Sequence, residues 1–256
     1  MDKMLSKMLE IKNLMIWFEN AIAINDISLE VNTNEIVAVL GPNSAGKTTL
    51  MHAISGLIID IRKKEFRKGG ERITILGEMK FEGEDILYKS PIDRIKKGIS
   101  LSRERHPVFP DSTVEENLKI STYLRRDKEI KKSFDFIYFI FPHLKSLRKR
   151  KAGFCSGGEQ QMLSIAMALM AKPKLLLLDE PLLGLSPVMQ KNVVQAIKQI
   201  QMEGTNILIT EQYARPILPI IHRGYVITNG VLILQGTSEE LMENPEVRSA
   251  FMGMAT

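Results

Sequence analysis

The sequence predicts an α/β fold whose buried strands carry a phosphate-binding loop, and three observations lead to it. Residues 35–40 are apolar and β-branched and run directly into Gly41-Pro42-Asn43-Ser44-Ala45-Gly46-Lys47-Thr48-Thr49. Lys174 opens a leucine run, 175–178, that ends in Asp179-Glu180-Pro181. Segments 225–228 and 231–234 flank Asn229-Gly230, a two-residue hairpin signal.

Taken in order, Ile22, Ile24, Ile27, Leu29 and Val31 alternate as half-buried strands do. The strand at 35–40 precedes the loop, and helical character at 49–54 stops at Gly56. Its glycines and lysine have the spacing G-x-x-x-x-G-K-[ST], so the motif has the strand-loop-helix context it needs. Gly41 and Gly46 let the backbone turn so that successive N–H groups and a helix N-terminus converge on an anion. Lys47 then reaches the terminal phosphates, and the Thr48 hydroxyl is a hard ligand suited to Mg²⁺.

Residues 58–75 are basic, and Lys68-Gly69-Gly70 predicts an exposed, mobile tip. From 113 to 171 the pattern is mostly helical. Within it, Ser156 with Glu159 three residues on forms a capping box, followed by Met162, Ile165, Ala166 and Leu169 on one face. Gly157 and Gly158 make that helix start a second candidate anion site.

The run at 175–178 fits a strand buried on both faces, and ligands in such sheets bind at the strands' carboxyl ends. Asp179 is placed to hold Mg²⁺ and Glu180 to polarise an attacking water, the plain alternative being two acids that cap a core strand. A further helix starts with Ser186 as cap and Pro187 in its first turn and ends at Gly204.

Composition narrows the class. The 256 residues can bury one substantial core, and the single Cys155 excludes an intrachain disulfide. His52, His106, His143 and His222 are scattered and suggest no metal cluster. Apolar runs such as 136–141 are far shorter than the roughly 20 residues a bilayer requires. The first seven residues lack the apolar core of a secretory signal. Net charge is +5, with basic runs at 62–64, 67–68 and 148–151. These runs read as solvated faces, as attraction to an anionic leaflet, or as weak nucleic-acid binding; no interleaved aromatics favour the last.

The order of phosphate loop, S-G-G signature and L-L-L-L-D-E-P strand resembles the ATP-binding-cassette (ABC) ATPases. More narrowly, the chain is similar to ATP-binding subunits of bacterial and archaeal branched-chain amino acid importers. That likeness rests on residues 155–162, on Val108-Phe109-Pro110 with 113–118, and on Glu211-Gln212 after 207–209. It runs from about residue 9 to 236. It implies an α/β P-loop NTPase core over 1–256 as one nucleotide-binding domain, with an antiparallel β subdomain and a helical signature subdomain at roughly 100–172.

The resemblance also assigns roles. Phe18 takes the position that stacks on adenine, against the plain reading of a core or edge aromatic. Glu104 falls in the loop that couples the nucleotide and its Mg²⁺ to a membrane partner, and Gln212 is at the switch position. Gly41 to Thr49 would hold ATP, Thr48, Asp179 and Glu104 the Mg²⁺, and Lys47, Glu180 and Gln212 the chemistry. Ser156, Gly157 and Gly158 would complete the site of a second copy or of a related subunit. Several positions depart from the pattern: Ser44 replaces a glycine, Cys155 a leucine, Met167 an arginine, and Arg103 and Arg105 a proline and a glycine.

The expected protein is thus an ATPase subunit at the cytoplasmic face of the cell membrane. It would work through an integral-membrane permease and, indirectly, an extracytoplasmic solute-binding protein, with branched-chain or related amino acids as solute and no nucleic acid bound. A soluble ABC ATPase acting on nucleic acid or ribosomes is the alternative, although tandem cassettes and a coiled-coil insertion are missing. A non-hydrolysing binding module is disfavoured by Glu180.

Overall fold

A computed structural model of the chain describes residues 6–104, 108–125 and 127–251. Residues 1–5, Arg105 and His106 therefore lie outside the described residues. The chain begins with β1 (Lys7–Phe18), β2 (Ala21–Asn32), β3 (Ile36–Leu40), α1 (Lys47–Ser55), α2 (Leu57–Lys68), β4 (Ile73–Phe81), β5 (Glu84–Asp85), α3 (Pro91–Lys97) and β6 (Ile99–Ser102). A helical stretch follows, with α4 (Val114–Ile120), α5 (Ile130–Ile140), α6 (Pro142–Ser146) and α7 (Gly157–Leu169). The chain then forms β7 (Leu175–Asp179), α8 (Pro187–Met202), β8 (Asn206–Glu211), β9 (Arg223–Thr228), β10 (Val231–Thr237), α9 (Ser238–Glu243) and α10 (Pro245–Phe251).

Two sheets result. One is antiparallel, in the order β2-β1-β4-β5; the other runs β10-β9-β3-β8-β7-β6, parallel except for β10. β3 and β7 are buried at every residue, as a strand covered on both faces must be. The two-residue period of β3 sends Val37 and Val39 into the core around α1 and the antiparallel sheet. Ile36, Ala38 and Leu40 enter a second core with α4, α5, α7 and α8. The parallel strands all end on one side, and the functional loops emerge there.

The alternation read in β2 is real but changes face. Ile24 is fully buried while Ile22 is 41% exposed, and the buried positions then become Ile27, Leu29 and Val31. The switch sits at Asp26, whose φ is +58, where the register with β1 shifts. An extra residue in one strand moves every later side chain to the opposite face. The Asn229-Gly230 turn has φ of +51 and +77, as a type I′ hairpin needs.

Residues 58–75 differ from the expected mobile tip, because most of them form α2. Ile58 and Ile59 are buried against the core and no helix breaker occurs before Gly69, so a helix is the cheaper state. Arg94 of α3 anchors its base. That side chain is fully buried and donates to the carbonyls of Ala53, Ile54, Leu87 and Lys89. The predicted caps at Ser156 and Ser186 are present, the first as a reciprocal box with Glu159.

Candidate functional site

The phosphate loop leaves β3 where Gly41 N–H donates to the Glu211 carbonyl. A side chain at Gly41 would strike the Ile227 carbonyl at 2.4 Å, so only glycine fits. Gly46 has φ of +102 and opens α1. Ser44 has φ of +64, a left-handed conformation that costs a non-glycine residue energy. The departure noted at this position is therefore accommodated with strain. Ala45 is buried, and its carbonyl accepts the Gly230 N–H, which clamps the β9–β10 turn onto the loop.

The loop borders a cleft of about 560 Å³ that gathers Asn43, Ser44, Gly46, Lys47, Thr48 and Thr49 with Glu104 and Glu180. Ile22, Ala23, Leu183 and Asn229 complete its wall. Lys47 is buried, and its ammonium donates to the carbonyls of Gly41 at 2.7 Å and Pro42 at 2.9 Å. Its third contact is Glu180 Oε1 at 2.9 Å. Glu180 itself is 9% exposed and has φ of +46.

Asp179 is buried at the end of β7 and accepts from the Thr210 hydroxyl at 2.7 Å. It also accepts from the Thr48 hydroxyl. Burial raises its pKa above the usual carboxylate value, opposed by these two hydrogen bonds and aided by the neighbouring Glu180 and Glu104. Two hard oxygens, Thr48 Oγ1 and Asp179, are thus already joined at the mouth of the loop, with Glu104 in the same cleft. No group of three or more His, Cys, Asp or Glu side chains forms a metal cage among the described residues. A sparse oxygen set of this kind suits Mg²⁺, which keeps waters and takes phosphate oxygens.

Glu211 is the buried carboxyl that sequence reading quoted only as part of a motif. It accepts from Leu182 N–H at 2.9 Å, and burial lifts its pKa to about 8, opposed by that bond and aided by Glu180. Thr210, Ile22, Leu183 and Asn229 were also missed as site residues. The turn signal at Asn229 was visible; that it would pack on the phosphate loop was not.

Other expected site residues lie elsewhere. Phe18 and Gln212 are half-buried and do not line the cleft; Phe18 packs against the core of the antiparallel sheet. Ser156 borders a different cleft, with His143, Glu159 and Met189, and Gly157 and Gly158 open the helix beside it. There Glu159 is bound by Ser156 N–H at 2.7 Å and lies 2.7 Å from His143 Nε2. Cys155 is buried and its thiol points at the Lys151 carbonyl; burial raises its pKa, which suits a small filler rather than a nucleophile.

The arrangement of strand, glycine loop, helix and neighbouring carboxylates defines a P-loop nucleoside triphosphatase. Residues 24–183 match the family described as ABC transporter. The chain belongs to that family, and it is an ABC-type ATPase. It is 35% identical over 246 residues to the high-affinity branched-chain amino acid transport ATP-binding protein BraG of Pseudomonas aeruginosa, covering 96% of this chain and 100% of that one. A probable branched-chain amino acid transport ATP-binding protein, LivF of Archaeoglobus fulgidus, is 36% identical, over 90% of this chain and 92% of its own. The lipopolysaccharide export ATP-binding protein LptB of Haemophilus influenzae is 32% identical, over 94% of this chain and 95% of its own. Among solved structures, the ADP conformation of an ATP-binding cassette of an ABC transporter superposes with a TM-score of 0.80 at 26% identity, over 97% of this chain and 99% of that one.

Proposed function

We propose that this chain is the ATP-hydrolysing subunit of an importer for branched-chain or related amino acids. The observation that carries the solute is the likeness to BraG, which extends over that whole protein. LptB is nearly as similar, so export of a lipid is the competing reading. The ABC class itself, which works with membrane permease subunits, does not depend on that choice.

In this reading Lys47 and the loop amides neutralise the phosphates, Thr48 and Asp179 hold Mg²⁺ with help from Glu104, and Glu180 orients the attacking water with Gln212. The metal, when bound, shields the phosphate charge. The signature residue Ser156 lines a cleft apart from Lys47, and Gly157 and Gly158 open the helix beside it. One chain thus carries two half-sites, which supports a head-to-tail pair, of identical or related subunits, with each nucleotide between them.

No helix among the described residues is long and apolar enough to cross a membrane. Docking on a permease is supported by an apolar groove of about 590 Å³, where Ile95, Leu101, Ile120, Tyr123, Leu124 and Met167 meet. Tyr123 is 89% exposed there. The subunit would sit at the cytoplasmic face through that contact, with a solute-binding protein acting from the other side.

The test is reconstitution. Co-expressed with its permease, the chain should hydrolyse ATP faster when a binding protein loaded with a branched-chain amino acid is supplied. Stimulation by a lipid, with none by amino acids, assigns it to export; recovery of ribosomes or nucleic acid in place of a permease overturns the transport reading.

A further inference from the structure

We propose that α2 is a membrane-surface contact that holds anionic lipid headgroups beside the permease groove. The helix turns Ile58 and Ile59 into the core and leaves Arg62, Lys63, Lys64, Arg67 and Lys68 exposed. Phe66 stands between the runs 62–64 and 67–68, an interleaved aromatic contrary to the expectation that these runs have none, and it is 85% exposed. Several exposed lysines elsewhere find carboxylates: Lys7 meets Glu10 and Glu30, Lys119 meets Glu115, and Lys132 and Lys172 share Glu129, whereas Lys145, Lys191 and Lys198 do not among the described residues. None of the five α2 cations has an acidic partner among the described residues. Unpaired basic side chains around an outward aromatic ring complement a surface that is anionic outside and apolar just beneath.

Position favours a bilayer over a free polyanion. α2 packs on α3, and Arg94 locks the α1–α2 junction to α3 through the carbonyls of Ala53 and Ile54. The next residues of α3, Ile95 and Lys96, line the groove assigned above to the permease. The basic face therefore adjoins the face turned toward the membrane, and this step rests on that assignment. A rigid helix at that rim adds long-range attraction to the leaflet and orients the subunit before the groove engages.

Vesicle co-sedimentation of the full chain tests the proposal without a permease. Wild type should sediment with phosphatidylcholine vesicles containing about one-third phosphatidylglycerol and stay in solution with phosphatidylcholine alone. Binding should vanish as salt rises from about 0.1 M to about 0.5 M. Each removed charge should lower partitioning about five-fold, so Lys63→Gln with Arg67→Gln should lower it about 25-fold. Phe66→Ser should lower it several-fold and keep the dependence on anionic lipid. Lys149→Gln with Arg150→Gln should leave it unchanged, as should ATPase activity in every α2 variant.

Equal binding to both vesicle types, or equal loss in the 149/150 variant, would reduce the effect to net charge and overturn the proposal. It also fails if the α2 variants sediment like wild type, or if transfer RNA binds more tightly than the vesicles through the same residues. Loss of permease assembly in detergent free of anionic lipid, with vesicle binding intact, would make the permease itself the partner. If no permease groove contact exists but anionic vesicles still bind through α2, only the functional reading falls.

Discussion

Lys47 Nζ lies 2.9 Å from Glu180 Oε1 inside the closed base of the cleft, so the cation of the phosphate loop and the neighbouring carboxylate hold each other. With Gly41 and Pro42 carbonyls as its other acceptors, all three ammonium donors are committed. A buried pair of this kind adds little net stability, because desolvation offsets its attraction. Under the proposed function, a phosphate that takes Lys47 would release Glu180, freeing the carboxylate for water only once a nucleotide is present.

Glu180→Gln should therefore abolish hydrolysis while ATP binding strengthens by about ten-fold, since an amide holds Lys47 less tightly than a carboxylate by roughly 1–2 kcal/mol. The variant should accumulate as an ATP-bound dimer in gel filtration. Lys47→Ala should lose ATP binding as well as turnover. Parental ATPase rates in either variant would remove these residues from the reaction.

Ser44→Gly should relax the φ of +64 and raise the melting temperature modestly. The relief of about 1–2 kcal/mol is partly cancelled by roughly 0.5–1 kcal/mol of glycine entropy. ATP affinity should be retained, because the loop amides are untouched. A fall in thermal stability would show that the serine side chain supports the loop.

Arg94→Met should destabilise the chain by about 3–5 kcal/mol, read from urea unfolding. Its guanidinium serves four carbonyls at no exposure, and burial lowers its pKa to about 10. Arg94→Lys should not rescue, since three donors on a single nitrogen cannot span carbonyls from α1 and from the α3 approach.

Glu211 predicts how stability of the nucleotide-free protein varies with pH. Its carboxyl titrates near 8 when folded, above the value of an unfolded chain. Between about pH 4.5 and 8 the folded state holds a proton that the unfolded chain has lost, so stability falls as pH rises through that window. Glu211→Gln keeps an oxygen for Leu182 N–H and should flatten the slope. A wild-type slope in that variant would place the titration elsewhere, with Asp179, also shifted upward, as the next candidate.

Glu104 variants separate coupling from binding. Glu104→Ala in the permease complex should reduce solute-stimulated ATPase more than it raises the KM for ATP. An equal loss in the isolated subunit would place the residue in hydrolysis alone.

Local chemistry made much of the protein legible in its sequence. Gly41, Gly46, Lys47 and Thr48 announce a phosphate loop because spacing alone sets which backbone groups converge, and Ser156 with Glu159 announces a helix start for the same reason. The leucine run before Asp179 reads as a buried strand because both its faces are apolar. Family likeness assigned Glu104 and Gln212 to one site, whereas Glu104 lines the cleft and Gln212 does not.

Tertiary structure decided what depends on contacts far apart along the chain. Glu211 is one of 21 glutamates by type alone, yet packing behind Leu182 and near Glu180 shifts its proton affinity, because desolvation follows burial and not residue identity. Ile22 lines the cleft while Ile24 is fully buried, because the register with β1 shifts again between these two residues. The basic stretch after Gly56 became a helix because Ile58 and Ile59 found a core to enter. By itself the sequence determined the nucleotide chemistry, since that chemistry resides in one short loop; the fold alone decided that Lys47 rests on Glu180, since those residues meet only when β3 and β7 flank β8 in one sheet.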